Sequence, residues 1–292
     1  MLITDVDAFV LAMPHVTDAA DGTQDTFLVR IRTNTGVTGW GESDASPLVS
    51  LAAYYCPMSH GNIINIRESL LGERVDTPED VRRLHQKVRR QGLDIEQIDH
   101  AYSAADIALW DALGKQLDEP VYHLLGSPIA YPKLPYASVL FQDTPQETLE
   151  RAKGLRKLGF RAAKFGWGPM GKRGADFDVD LVAAAREGMG EEAEIMIDAG
   201  VAWGTDYETA YARALAFSPF RPTWLEEPLL PDAVDEYGKL KSLNPPVPIA
   251  AGEGAARLRT AQDILCNGKV DFLQIDVGRI GGLTPAREVA VL

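Results

Sequence analysis

The period of apolar and polar positions changes along the chain. Up to about residue 43 they alternate: Phe27, Val29 and Ile31 stand two apart in DTFLVRIRT, Asn34-Thr35-Gly36 supplies a turn, and VTGWGE returns. Period-two alternation about a glycine-containing turn predicts a small antiparallel meander. Helical signals follow. Thr77-Pro78-Glu79-Asp80 combines an N-cap, a proline at the first helical position and acids in the first turn. The stretch SAADIALWDALGKQL (103–117) is apolar around most of a helical surface, which predicts a buried helix, and Asp118-Glu119-Pro120 ends it.

From about residue 133 short apolar runs recur at 135–141, 162–167, 194–199, 223–228, 248–253 and 271–276, about 27 residues apart, with helical stretches between them. One of these helices opens at Thr144 with Glu147 three residues on, a capping box. Alternating β and α at this spacing means parallel strands joined by helical crossovers. An open doubly wound sheet and a (β/α)8 barrel both satisfy the pattern. The barrel needs about eight such units; six strands are present, and the last residues, PAREVAVL, lie in the helix after the sixth. No strand run is followed by G-x-G-x-x-G, and there is no P-loop, so a nucleotide fold is not indicated.

Composition adds limits. A chain of 292 residues, 46% apolar and 24% charged, can bury two domains or one large barrel. The net charge of −13 argues against nucleic-acid or anionic-membrane partners, although a metal ion would reverse the sign locally for an anionic substrate. Cys56 and Cys266 form neither a disulfide framework nor a zinc spacing, which points to a reducing, cytoplasmic setting. No apolar run reaches 18 residues and the N-terminus lacks the pattern of a signal peptide.

The candidate chemistry lies in the acids. Asp198, Glu226 and Glu253 close consecutive β runs, and Asp276 stands on the next. In a barrel the carboxyl ends of strands gather around one site. At about 4 Å and an effective dielectric of about 20, each pair of carboxylates repels by on the order of 4 kcal/mol. A hard divalent cation removes that cost, and an all-oxygen set suits Mg²⁺, with Mn²⁺ as the alternative. Lys164, inside the second run, is a candidate for binding a carboxylate or acting as a base.

These residues carry a family resemblance. SAADIALWDALGKQLDEPVYHLLG (103–126), MIDAG (196–200), WLEEP (224–228), AAGEG (250–254) and DVGRIGG (276–282) occur in the order and spacing of the enolase superfamily. The chain resembles its mandelate racemase and muconate lactonizing enzyme branch. The resemblance implies an α/β fold: an N-terminal α+β capping domain over 1–130, and a modified TIM barrel over 131–292 that is C-terminally incomplete. It implies Mg²⁺ on Asp198, Glu226 and Glu253, removal of the proton α to a substrate carboxylate, and a homo-oligomer, dimer or octamer. Where branch members carry Lys-x-Lys on the second barrel strand, this sequence has Lys164-Phe165-Gly166, which argues against two-base racemisation. Asp276 matches relatives in which an aspartate orients a histidine base, among them sugar-acid dehydratases.

The expected function is therefore a hydro-lyase: a Mg²⁺-dependent dehydratase of an aldonate or aldarate, with a small hydroxylated carboxylic acid as substrate. A racemase, epimerase or cycloisomerase is the alternative, and an inactive truncated or remnant barrel the second alternative. Lys164 and Asp276 are the catalytic candidates; His60, Trp167 and Arg279 are the substrate-binding candidates, with 15–24 and 56–61 as mobile capping loops. All five histidines fall at or before His123. Without the downstream histidine and two further βα units, about 55 residues, the 292-residue chain is expected to be a truncation of low activity.

Overall fold

The computed structural model describes residues 1–17, 24–44, 46–58, 61 and 63–292. The chain forms two compact units, the first of 1–131, 254–260 and 275–292, the second of 132–253 and 261–274. Segments 254–260 and 275–292, placed by the sequence in the second half, thus count with the first unit.

The first unit holds the meander β1 (Ile3–Leu11), β2 (Thr26–Thr33) and β3 (Thr38–Ser43), all antiparallel in the order β1-β2-β3. Alternation does what it predicts: Phe27, Val29 and Ile31 of β2 are fully buried while their neighbours are not. Helices α1 (Pro47–Tyr55), α2 (Ile66–Leu70), α3 (Pro78–Gln91), α4 (Ile98–Leu117) and α5 (Val121–Leu124) follow. Thr77 caps α3 in a reciprocal box with Asp80.

Helix α4 is the centre of this core, with 14 of its 20 residues buried. Ala104, Ala108 and Ala112, spaced by one turn, lie against β3. The approach is so close that a Cβ on Gly39 or Gly41 would sit 2.0 or 2.1 Å from the carbonyl oxygen of Ala108 or Ala104. Asp106 of α4 is fully buried and caps α11 (Leu283–Val289) from outside that helix. Its Oδ2 accepts from Thr284 N–H at 2.9 Å and its Oδ1 from Thr284 Oγ1 at 2.6 Å; Thr284 Oγ1 in turn accepts from Trp110 Nε1 at 3.0 Å.

The second unit is a six-stranded parallel sheet: β4 (Ala137–Leu140), β5 (Ala162–Gly166), β6 (Glu194–Asp198), β7 (Leu225–Glu226), β8 (Ile249–Ala251) and β9 (Phe272–Leu273). Spatial order equals chain order. Among the described strands the order nowhere reverses, so this is the winding of a barrel and not of a doubly wound sheet. Among the described crossover elements, α6 (Pro145–Lys157) starts with the Thr144–Glu147 capping box; α7 (Ala175–Met189), α8 (Tyr207–Phe217) and α9 (Val234–Ser242) follow, and α10 (Leu258–Asp263) has residues in both units. Asp178 of α7 is fully buried. Its Oδ2 lies 2.8 Å from Arg213 Nε, and its Oδ1 accepts from Gly171 N–H, also at 2.8 Å. Among the described residues no helix is long and apolar enough to cross a membrane.

Candidate active site

The ends of three neighbouring strands meet at one level. Gly166 of β5 is in register with Asp198 of β6, and Asp198 with Glu226 of β7. Asp198 and Glu226 are the last residues of their strands, and both are buried. Lys164, two residues before Gly166, shares its face of the strand. Its Nζ lies 2.5 Å from Glu226 Oε1 and 3.3 Å from Asp198 Oδ2.

The remaining carboxylate oxygens have neutral donors. Gly200 N–H donates to Asp198 Oδ1 at 2.9 Å, and Trp224 Nε1–H to Glu226 Oε2 at 2.8 Å. Gly166 makes the assembly possible: a Cβ there would stand 2.6 Å from Asp198 Cβ and 3.0 Å from Cγ. Position 166 has no room for a side chain while Asp198 stays in place.

Burial and charge act together on these groups. Burial pushes the Asp198 carboxyl above its ordinary range, with the Glu226 charge adding to the effect and Lys164 opposing it. Burial works against the Lys164 ammonium, but its hydrogen bond to Glu226 and the charges of Glu226 and Asp198 prevail and raise it. Two carboxylates and one ammonium leave the cluster one negative charge in excess.

Glu253 follows β8 by two residues. Glu226 is in register with Ala250, so Glu253 lies three residues further along its chain, past the end of β8. Among the described residues no group of three or more His, Cys, Asp and Glu side chains lies close enough to hold a metal ion. The two acids that do converge converge on an ammonium. They nonetheless fit a hard divalent cation in kind, being oxygen donors already oriented by neutral partners and carrying excess negative charge.

Asp276 lies beyond β9, not on the strand; its Oδ1 accepts from Gly278 N–H at 2.6 Å, and Arg279 Nε is 3.3 Å from its Oδ2. Arg279 also bonds Asp44, Nε to Oδ2 at 2.7 Å, so its guanidinium spans two acids of the first unit. His100 Nε2 is 2.9 Å from the Asp44 carbonyl oxygen, and burial lowers its pKa. Trp167 directly follows β5 with φ of 55°, rare for a non-glycine residue, and is 44% exposed. A Cβ on Gly200 would meet its indole at 2.7 Å, so the ring lies on the turn that follows Asp198. Trp203 is buried in packing. His60 and most of the 15–24 loop lie outside the described residues. Sequence reasoning missed Trp224 as the orienting partner of Glu226. Trp224 stands two residues before Glu226, just ahead of β7.

Comparison with known proteins agrees with this geometry. The mandelate racemase/muconate lactonizing enzyme N-terminal domain matches residues 4–126, and the enolase C-terminal domain-like family matches 147–292. A protein assigned as L-rhamnonate dehydratase from Caldivirga maquilingensis is 33% identical over 196 residues, 66% of this chain and 46% of that one. The D-gluconate dehydratase of Thermoproteus tenax is 33% identical over 199 residues, 66% of this chain and 39% of the relative. The match thus spans less than half the length of these curated relatives. A predicted mandelate racemase from Rhodobacter sphaeroides superposes on the whole chain and 74% of its own, with TM-score 0.94 and 46% identity. The 3,6-anhydro-D-galactonate cycloisomerase of Zobellia galactanivorans gives TM-score 0.85 and 28% identity over the whole chain and 76% of its own. A racemase from Streptomyces coelicolor with bound magnesium gives 0.82 and 26% over 99% and 81%. Fold and site define an α/β barrel domain of the modified TIM type, with acids at the strand ends and an α+β domain before it in the chain. More particularly, the chain belongs to the mandelate racemase/muconate lactonizing enzyme family of the enolase superfamily.

Proposed function

We propose that the protein is an acid-sugar dehydratase, removing the proton α to the carboxylate of an aldonate or aldarate and eliminating the β-hydroxyl as water. The observation that carries this reading is the convergence of buried Asp198 and Glu226 at neighbouring strand ends. The two dehydratase relatives favour it over other reactions of the family. When bound, Mg²⁺ or Mn²⁺ supplies positive charge where a carboxylate gains charge on losing its α-proton. Asp198, Glu226 and Glu253 would hold it.

The chain's own residues take the remaining parts. Gly200 N–H and Trp224 Nε1–H each bond one oxygen of an acid, and the other oxygens, Asp198 Oδ2 and Glu226 Oε1, face Lys164 Nζ. Trp167 offers an exposed indole face on the turn after Asp198 and would line the substrate. Asp276 would serve proton transfer, held by Gly278 N–H and Arg279. Arg279 is then a positioning residue and not a substrate contact.

A racemase or cycloisomerase is the second reading, favoured by the names of the structural relatives. Incubation of the protein, with any residues its gene encodes beyond Leu292, with Mg²⁺ and a panel of sugar acids separates the two. Appearance of 2-keto-3-deoxy acids supports dehydration. Inversion or ring closure without a keto product refutes it. Asp198→Asn with Glu226→Gln should abolish calorimetric Mg²⁺ binding.

A further inference from the structure

We infer that Asp44 is a positioning residue for Asp276: it draws the Arg279 guanidinium to itself and so leaves Asp276 Oδ2 with an ionic contact in place of a hydrogen bond, open to accept a proton. The inference rests on the proton-transfer role proposed above for Asp276. Asp44, Asp276 and Arg279 all belong to the first unit. Arg279 Nε carries a single hydrogen, and it is given to Asp44 Oδ2 at 2.7 Å. Nη2 donates to the same oxygen. Asp276 Oδ2 lies 3.3 Å from Nε, beyond the usual range for an N–H donor. Two carboxylates and one guanidinium leave the group one negative charge in excess. The Asp276 side chain is 24% exposed, so a reactant can reach it.

The fold fixes Asp44 for this part. It directly follows β3, and its main chain is held on both sides. Its N–H donates to the Gly278 carbonyl at 3.2 Å, and its own carbonyl oxygen lies 2.9 Å from His100 Nε2 of α4. Asp44 thus grips the 276–279 turn twice, by main chain at Gly278 and by carboxylate at Arg279. Gly278 N–H in turn donates to Asp276 Oδ1 at 2.6 Å. A Cβ on Gly278 would stand 3.0 Å from Asp44 N and 3.1 Å from Asp276 Oδ1, so the bare glycine lets both acids close on one turn. Without the Asp44 charge the guanidinium would turn its fork onto Asp276, and a carboxylate so paired is a poorer proton acceptor.

The Arg279 Nε–H signal in the NMR spectrum of protein with isotope-labelled arginine, assigned by its loss in Arg279→Gln, reads this sharing directly. Asp44→Asn should displace it, and Asp276→Asn in the wild-type background should leave it in place. In the Asp44→Asn background, Asp276→Asn should displace it. In the protein with any residues its gene encodes beyond Leu292, Asp44→Asn should lower kcat for sugar-acid dehydration by about tenfold or more, with KM changed less than about threefold. Adding Arg279→Gln should recover part of that loss, because it removes the guanidinium that would quench Asp276. A structural part alone for Asp44 gives losses that add.

Displacement of the signal by Asp276→Asn to the same extent in both backgrounds overturns the inference, as does a double variant no faster than Asp44→Asn. If Asp44→Asn does not fold, the signal in Asp276→Asn decides: in place, it upholds the inference; displaced, it overturns it. If the wild-type protein turns over no sugar acid, the dehydratase reading fails, and the NMR comparison alone judges Asp44.

Discussion

Replacing Asp106 by asparagine tests how the first unit anchors its last helix. Burial raises the Asp106 carboxyl to about 7 from an ordinary value of 3.8, against the opposing effect of its hydrogen bonds from Thr284. The folded protein therefore holds a proton on Asp106 at pH values where the unfolded chain has released it. For an acid raised in this way the stabilising contribution is complete below about pH 4 and is lost as pH rises to about 7. A tenfold change in proton affinity is worth about 1.4 kcal/mol, so the roughly thousandfold tighter hold on the proton corresponds to about 4 kcal/mol over this window. Other acids, among them Asp5 and Glu73, are lowered and tilt the total curve the opposite way, so the difference between two proteins is the informative quantity. Asparagine keeps the shape of the neutral acid and cannot ionise. Urea unfolding followed by circular dichroism from pH 4 to pH 8 should show Asp106→Asn gaining about 4 kcal/mol on wild type across the range, whatever its constant offset. Parallel curves would refute the account of Asp106 as a buried acid that ionises at a cost.

Two further expectations follow from close packing. Gly166→Ala places a Cβ against Asp198 and should cost about 1–3 kcal/mol while weakening Mg²⁺ binding; wild-type values in thermal melts with and without the ion would contradict the packing argument. Arg213→Ala strands the fully buried Asp178 carboxylate and should cost about 3–5 kcal/mol in denaturant unfolding. A loss below about 1 kcal/mol would show that the pair is not needed to offset burial of the acid.

Local chemistry is legible in the order of residues. The boxes at Thr77–Asp80 and Thr144–Glu147 form because both partners lie within one turn. Asp198 and Glu226 stand out as site residues because each ends an apolar run that becomes a strand. The later apolar runs predict longer strands than the two residues of β7 and β9. Glu227 turns to φ of 37° directly after Glu226, and Asp276 sits in the turn beyond β9, so chain direction changes where hydropathy does not.

Taken alone, the sequence determined the succession of meander, helices and parallel strands, the family, and that Asp198 and Glu226 end strands. These follow from periodicity and from motifs a few residues long. Tertiary structure decided that the sheet winds without reversal, that Asp106 caps a helix 178 residues away, and that Lys164 meets both Asp198 and Glu226. Strand register and burial set those distances, and both depend on contacts between residues far apart in the chain.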